Sequence, residues 1–269
     1  MRPSTHRVVF FGVLVALNSF SSGCTTADLR PQGLVILPDT AADVTRARQL
    51  AERTRESQPS TRVKIRGRDV WSSTIMRWFT PLSSNNAEFV AEIDPATGDM
   101  KFSEVRASET LASWDLPGRA RLHRARGESK NRPKGTSNLT AVYLDSFVLY
   151  LRLPWLIRSS DVLQLLPNHP DPETAPGLSK THDAVFAMAR DTNDDHYILW
   201  INRETGRLDF AEFTYRDLAK SYRGVLRFDG WFDASAGGLP RKVTIQSDFR
   251  GDGFAHRIEI DTSTLIGSP

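Results

Sequence analysis

The chain has 269 residues, 39% hydrophobic and 25% charged, which is ample to bury a core. Its 35 basic and 32 acidic residues leave a net charge of +3. Two of the basic residues, Arg2 and Arg7, lie in an N-terminal segment that reads as removable, so the charge gives no reason to expect a nucleic-acid partner. A single cysteine excludes an internal disulfide.

At the N-terminus, Arg2 and Arg7 precede an apolar run from Val8 to Leu17, broken only by Gly12, and Ser21, Ser22 and Gly23 lead into Cys24. These are the charged start, apolar run and small-residue site of a secretory signal. The run is about half of the roughly 20 residues a bilayer-spanning helix needs. The segment resembles a bacterial lipoprotein signal, with Ser21 where that signal usually carries Leu. The resemblance implies acylation of Cys24 and a membrane anchor through it, two or three acyl chains being enough for stable attachment. Thr25, where an Asp would favour the inner membrane, implies the periplasmic face of the outer membrane. The expected organisation is a signal peptide over 1–23, the acylated cysteine and a tether over 24–39, and one domain over 40–269.

Residues 40–56 carry the clearest helical pattern, with Thr40 as a cap, Asp43 three residues later, and Val44, Ala47, Leu50 and Ala51 on one face. Trp71, Trp78 and Phe79 add aromatic bulk that reads as core. The stretch AEFVAEIDPATGDMKFSEV, starting at Ala87, reads as two strands joined through Asp94, Pro95, Thr97 and Gly98. Between 118 and 135, seven Arg or Lys residues and His123 meet only Glu128, and Gly and Pro make this a loop. With no aromatic interleaved it lacks the stacking element of a single-strand nucleic-acid groove. Arg119, Arg121, Arg124 and Arg126 make it a candidate surface for anionic headgroups.

Val142, Leu144, Phe147, Val148 and Leu151 follow at nearly helical spacing before Pro154 and Trp155, which predicts a helix buried by the sheet or packed into its mouth. YILWINRETGRLDFAEF, starting at Tyr197, repeats the hairpin chemistry at Asn202, Thr205 and Gly206, and Tyr197 to Ile201 is apolar on both sides, as a strand covered on both faces should be. In KVTIQSDF, Val243, Ile245 and Phe249 alternate with polar residues, and Phe254, His256, Ile258 and Ile260 do the same after Gly251-Asp252-Gly253. These hairpins predict an antiparallel meander.

Little in the chain points to catalysis. There is no G-x-S-x-G and no phosphate-cradling G-x-x-x-x-G-K-[ST]. The run Asp191, Asn193, Asp195, His196 lacks the Gly and the Glu of a calcium loop and reads as a polar turn. His169 and His182 are scattered, and His256, on an apolar strand face, needs a partner of its own. No metal, cofactor or catalytic residue is expected. An enzyme would need His182, His196 or His256 to converge with carboxylates.

The order of signal and lipobox, helix, long strands, apolar segment with a Pro, and terminal meander carrying HYILWINRETGRLDFAEFTYRD and FDGWFDASAGGLPRKVTIQSD resembles the LolA-like group of bacterial envelope proteins. Gly238-Leu239-Pro240 matches a strand start of one branch, one residue short. The resemblance implies an α+β fold, a curved, mostly antiparallel sheet forming an open half-barrel covered by a few helices, and a carrier or binder of lipid-like chains. Trp200, Phe210, Phe213, Val243, Ile245, Phe249, His256, Ile258 and Ile260 are then candidates to line an apolar ligand cavity, and they would serve equally as a sealed core. Two readings stay open. One is a membrane-anchored binder of a lipid or acyl chain. The other is a structural or protein-interaction lipoprotein with a filled core, acting through its basic loop, its protein partners unknown.

Overall fold

The computed structural model describes residues 27–56, 61–72, 80, 82–94, 99–116, 143, 147, 150, 151, 153, 161–188, 195–214, 223–233, 235, 237–246 and 253–267. Cys24, the stretch 118–135 with Arg119, Arg121, Arg124 and Arg126, and Trp78, Phe79, Trp155 and Phe249 lie outside them.

Helix α1 spans Ala42–Glu56 and buries Val44, Ala47, Leu50 and Ala51, the stripe its spacing predicts. It begins two residues later than the sequence pattern indicates. Ala41, not Thr40, precedes the first turn, and the Thr45 amide donates to the Ala41 carbonyl at 2.9 Å.

Eleven strands follow: β1 (Val63–Trp71), β2 (Asn86–Ile93), β3 (Met100–Arg106), β4 (Glu109–Leu116), β5 (Val162–Leu165), β6 (His182–Met188), β7 (Tyr197–Asn202), β8 (Leu208–Thr214), β9 (Arg223–Trp231), β10 (Pro240–Gln246) and β11 (His256–Leu265). They form one antiparallel sheet in the order β4-β3-β2-β1-β11-β10-β9-β8-β7-β6-β5, left unclosed because its edges β4 and β5 do not pair. Two meanders, β1–β4 and β5–β11, are thus fused where β1 meets β11, with Val63 opposite Leu265.

The curvature follows from contacts of the apolar segment between β4 and β5. Tyr143, Phe147, Tyr150, Leu151 and Leu153 are helical and buried there; Phe147 and Leu151 belong to the stripe its spacing predicts, whose Val142, Leu144 and Val148 lie outside the described residues. Phe147 packs on Phe102 of β3 with ring centroids 5.0 Å apart, while Tyr150, three residues on, packs on Phe213 of β8 at 6.0 Å. β3 and β8 are six strand spacings apart, about 29 Å in a flat sheet at ~4.8 Å each, whereas three helical residues advance about 4.5 Å. The sheet must wrap around the helical segment, which makes it an open half-barrel with α1 and this segment as its roof.

At the seam, the register shifts between Arg66 and Gly67. A Cβ on Gly67 would stand 2.0 Å from the Glu259 carbonyl oxygen, so only glycine lets β11 approach there. The β7–β8 turn carries the chemistry read from sequence: Asn202 Oδ1 accepts from the amides of Glu204 and Thr205, and Gly206 takes φ +69°.

The sheet's outer face is divided. Along β1 burial alternates from Val63 to Asp69, and Lys64, Arg66 and Arg68 pair in solvent with Glu92, Glu88 and Glu259. Over β6–β8 and at Val225 of β9 the outer face is covered: Phe186, Ile198, Trp200, Phe210 and Val225 form a second apolar cluster with Leu29 and Leu166, against which Leu34, Ala175 and Leu178 pack, while Arg223 and Arg227 of β9 stay exposed. Residues 27–37, read from sequence as part of a tether, are therefore docked on the sheet. Arg223 donates to the Asp28 carbonyl at 2.6 Å, His196 Nδ1 lies 2.9 Å from Asp28 Oδ1, and the Leu37 amide donates to Gln164 at 3.1 Å. Burial pushes the Asp28 carboxyl up, but the Arg30 hydrogen bonds and the charge of His196 outweigh it and hold the group well below the usual carboxylate range.

Candidate functional site

From sequence, an apolar ligand cavity is expected in the half-barrel's trough. Its floor is built by strand alternation, since residues directly opposite one another in adjacent strands share a face. Val243 stands opposite Ile258 and Phe228, and Ile245 opposite His256 and Leu226, so all six face the roof. Ile260 and Phe213 join them in the main core cluster with Leu50 and Ala51 of α1 and Phe147 and Leu151 of the helical segment.

The nine sequence candidates do not form one set. Phe213, Val243, Ile245, His256, Ile258 and Ile260 face the trough, whereas Trp200 and Phe210, opposite one another in β7 and β8, face the outer cluster. Parity gives the reason: Phe210 and Phe213 are an odd number of residues apart in one strand. Phe249 lies outside the described residues. All the described candidates are buried.

A polar cluster sits in this otherwise apolar floor. Asp69, fully enclosed, lies on the inward-facing parity of β1, opposite Ile258. Its Oδ2 accepts the Tyr143 hydroxyl at 2.5 Å from the roof and lies 2.8 Å from His256 Nε2. His256 thus has the partner that an imidazole on an apolar face requires. Trp71, opposite His256, stacks on its ring with centroids 4.1 Å apart and planes at 11°. Burial pushes the Tyr143 hydroxyl well up, and the Asp69 charge and the hydrogen bond to it push further, so the phenol stays protonated and is the donor. Sequence reasoning missed Asp69 and Tyr143. The available signal was an acidic residue in phase with Val63, Ile65 and Gly67 of a strand whose other parity is basic.

Each of the three histidines meets a carboxylate, the condition set for an enzyme, but in three separate pairs and not in one site. His182 Nε2 lies 3.1 Å from Asp209 Oδ2, His196 pairs with Asp28, and His256 with Asp69. His182 begins β6 and His196 immediately precedes β7, which puts them at opposite ends of one hairpin, and His256 is on another strand of the floor. Among the described residues no three His, Cys, Asp or Glu side chains are grouped to hold a metal ion.

A second concavity, of about 590 Å³, opens at the strand ends, lined by the 174–178 loop, His182, Asp209, Arg227, Asp229 and Trp231 among others. Its charges are largely satisfied internally: Arg227 Nε is 2.9 Å from Asp229, and Asn202 donates to Asp209 at 3.0 Å. Asp171 pins its rim by accepting from the Ser179 and Gly177 amides, bonds that lower its carboxyl pKa, the Ser179 amide most.

No helix among the described residues is long and apolar enough to cross a membrane. No family model matches the chain, and no curated protein matches it. Among solved structures it is similar to a LolA superfamily protein from Nitrosomonas europaea, with 14% identity and a TM-score of 0.48, covering 83% of this chain and 94% of that one. It is also similar to a DUF1329 family protein from Desulfovibrio piger, with 9% identity and a TM-score of 0.42, covering 85% and 96%. At these TM-scores the likenesses support no statement of function.

Proposed function

We propose that this is an envelope lipoprotein, anchored through lipidated Cys24 at the periplasmic face of the outer membrane, that binds a lipid or acyl chain in the trough of its half-barrel without catalysis. The observation that carries the reading is how the roof is attached. Among the described residues, no backbone-to-backbone hydrogen bond joins α1 to a strand, and the polar links between roof and sheet run through side chains: Thr54 to the Gly206 carbonyl at 2.8 Å, Arg46 to Asp183 at 3.4 Å and Tyr143 to Asp69. Lifting the roof breaks no β ladder and bares apolar surface that water penalises, by about 25 cal/mol per Å², and that a hydrocarbon chain would cover. An apolar trough with a few fixed polar groups is the usual form of a small-ligand site.

A second reading, a structural or protein-interaction lipoprotein acting through Arg119, Arg121, Arg124 and Arg126, is favoured by the complete burial of the floor residues, which describes a filled core. Native mass spectrometry of the mature protein separates the two. The denatured mass reports the chains on Cys24, and any excess in the native mass reports cargo. Cargo lost when Ile258 is made charged, with the fold retained by circular dichroism, supports the binder. A clean apo mass after incubation with envelope lipids, together with loss of association when the four arginines are reversed, supports the second reading.

A further inference from the structure

Buried polar atoms without a partner are few in folded proteins, and each calls for an explanation. Two belong to the polar cluster in the trough: the Oδ1 of Asp69 and the indole Nε1 of Trp71. They come from positions two apart on one strand, hence from the same face, and they are linked through His256, which stacks on one and hydrogen-bonds the other. They are chemically opposite. Among the described residues Asp69 Oδ1, an acceptor, has no donor, and Trp71 Nε1, a donor, has no acceptor. The other carboxylate oxygen already takes both Tyr143 and His256, so turning the carboxyl does not remove the deficit.

We infer that Asp69 and Trp71 form a polar subsite for the head of an uncharged amphiphile bearing a hydroxyl, of the long-chain alcohol or monoacylglycerol kind. This rests on the ligand-binding reading above and narrows it. A hydroxyl both donates and accepts, so one such group placed between them would meet both deficits, its hydrogen going to Asp69 Oδ1 and its oxygen taking the Trp71 N–H. A carboxylate or a phosphodiester offers acceptors only. It would meet Trp71 and leave Asp69 Oδ1 unpaired, and a site built around a donor rejects analogues that lack one. The position suits a head group. Trp71 ends β1 and His256 begins β11, so the subsite lies at one end of the trough, where Trp71 is half-buried.

The test titrates the mature, delipidated protein with three probes sharing one chain: oleyl alcohol, its O-methyl ether and oleate, each read by native mass spectrometry. The alcohol is expected to bind about tenfold tighter than either of the others, the scale of one buried hydrogen bond made or left unmade. Trp71→Phe keeps an aromatic ring against His256 while removing the N–H together with part of the indole, and it should weaken the alcohol about 3–10-fold. Asp69→Asn should narrow the gap between alcohol and ether. Should Asp69→Asn fail to fold, the three probes and Trp71→Phe decide alone. Equal binding of all three probes, unmoved by Trp71→Phe, would overturn the subsite and leave lipid binding standing, as it would be if a structural water filled the place. No binding of any probe would overturn both.

Discussion

The outward faces of β1 and β7 belong to one sheet, yet Lys64, Arg66 and Arg68 stand in solvent on the first while Ile198 and Trp200 are sealed on the second. The difference is not in the strands' hydrogen bonding, since both are central and paired on each side. It lies in what the chain lays over them. Residues 27–37 and the loop carrying Leu166, Ala175 and Leu178 cover β6–β9, and among the described residues nothing comparable covers β1. A strand's sequence therefore registers the number of its neighbouring layers: alternating for one, continuously apolar for two.

That contrast can be strained by substitution, and the largest effect belongs to the doubly covered side. Trp200→Ala should cost about 3–5 kcal/mol in guanidinium unfolding, because it empties a sealed site and leaves Glu212, which accepts the Trp200 indole N–H at 2.9 Å, short of a partner. Gly67→Ala comes next, at about 3 kcal/mol, since its Cβ would collide with the Glu259 carbonyl and push β1 from β11. Tyr143→Phe should cost about 2 kcal/mol, one hydrogen bond to a buried carboxylate, measurable in the same unfolding curves.

A smaller and local effect concerns the cover itself. The Asp28 carboxyl is depressed in the folded state, so its contribution to docking is fully present above its ordinary value of 3.8 and is lost as the pH falls below that toward the folded value. The Leu29 amide resonance, followed by NMR from pH 5 downward, should move to its undocked position only in that acid range, and Asp28→Asn should abolish the dependence. The smallest effect belongs to the wet face. Lys64→Ala, which removes an exposed pair with Glu92, should change stability by less than about 0.5 kcal/mol.

Patterns carried by neighbouring residues were legible in the sequence. The stripe of α1, the turn chemistry at Asn202 and Gly206, the two-sided burial of Tyr197 to Ile201 and the alternation of β10 and β11 all follow from local spacing. Relations between distant residues were not. Nothing near Asp69 announces His256 or Tyr143, because a buried carboxylate's partners are set by strand pairing and roof placement. The split of Trp200 and Phe210 from Phe213 was available by counting parity in β8, and it was hidden because all three are aromatic and both faces are dry. The docking of 27–37 follows from apolar surface on β6–β9 that only the assembled sheet presents.

The seam between β1 and β11 also sets the order in which the molecule can be completed. Synthesis runs from the N-terminus, so β11, made after the other ten described strands, belongs in the sheet's interior, between β1 and β10. Each meander can zip by local hairpins, but joining them must bring Val63 to Leu265 across nearly the whole chain, the kind of distant contact that slows folding. Until it forms, β1 and β11 each present a raw edge on which a foreign strand can grow. A chain that ends before His256 keeps β1 and β10 open for its lifetime.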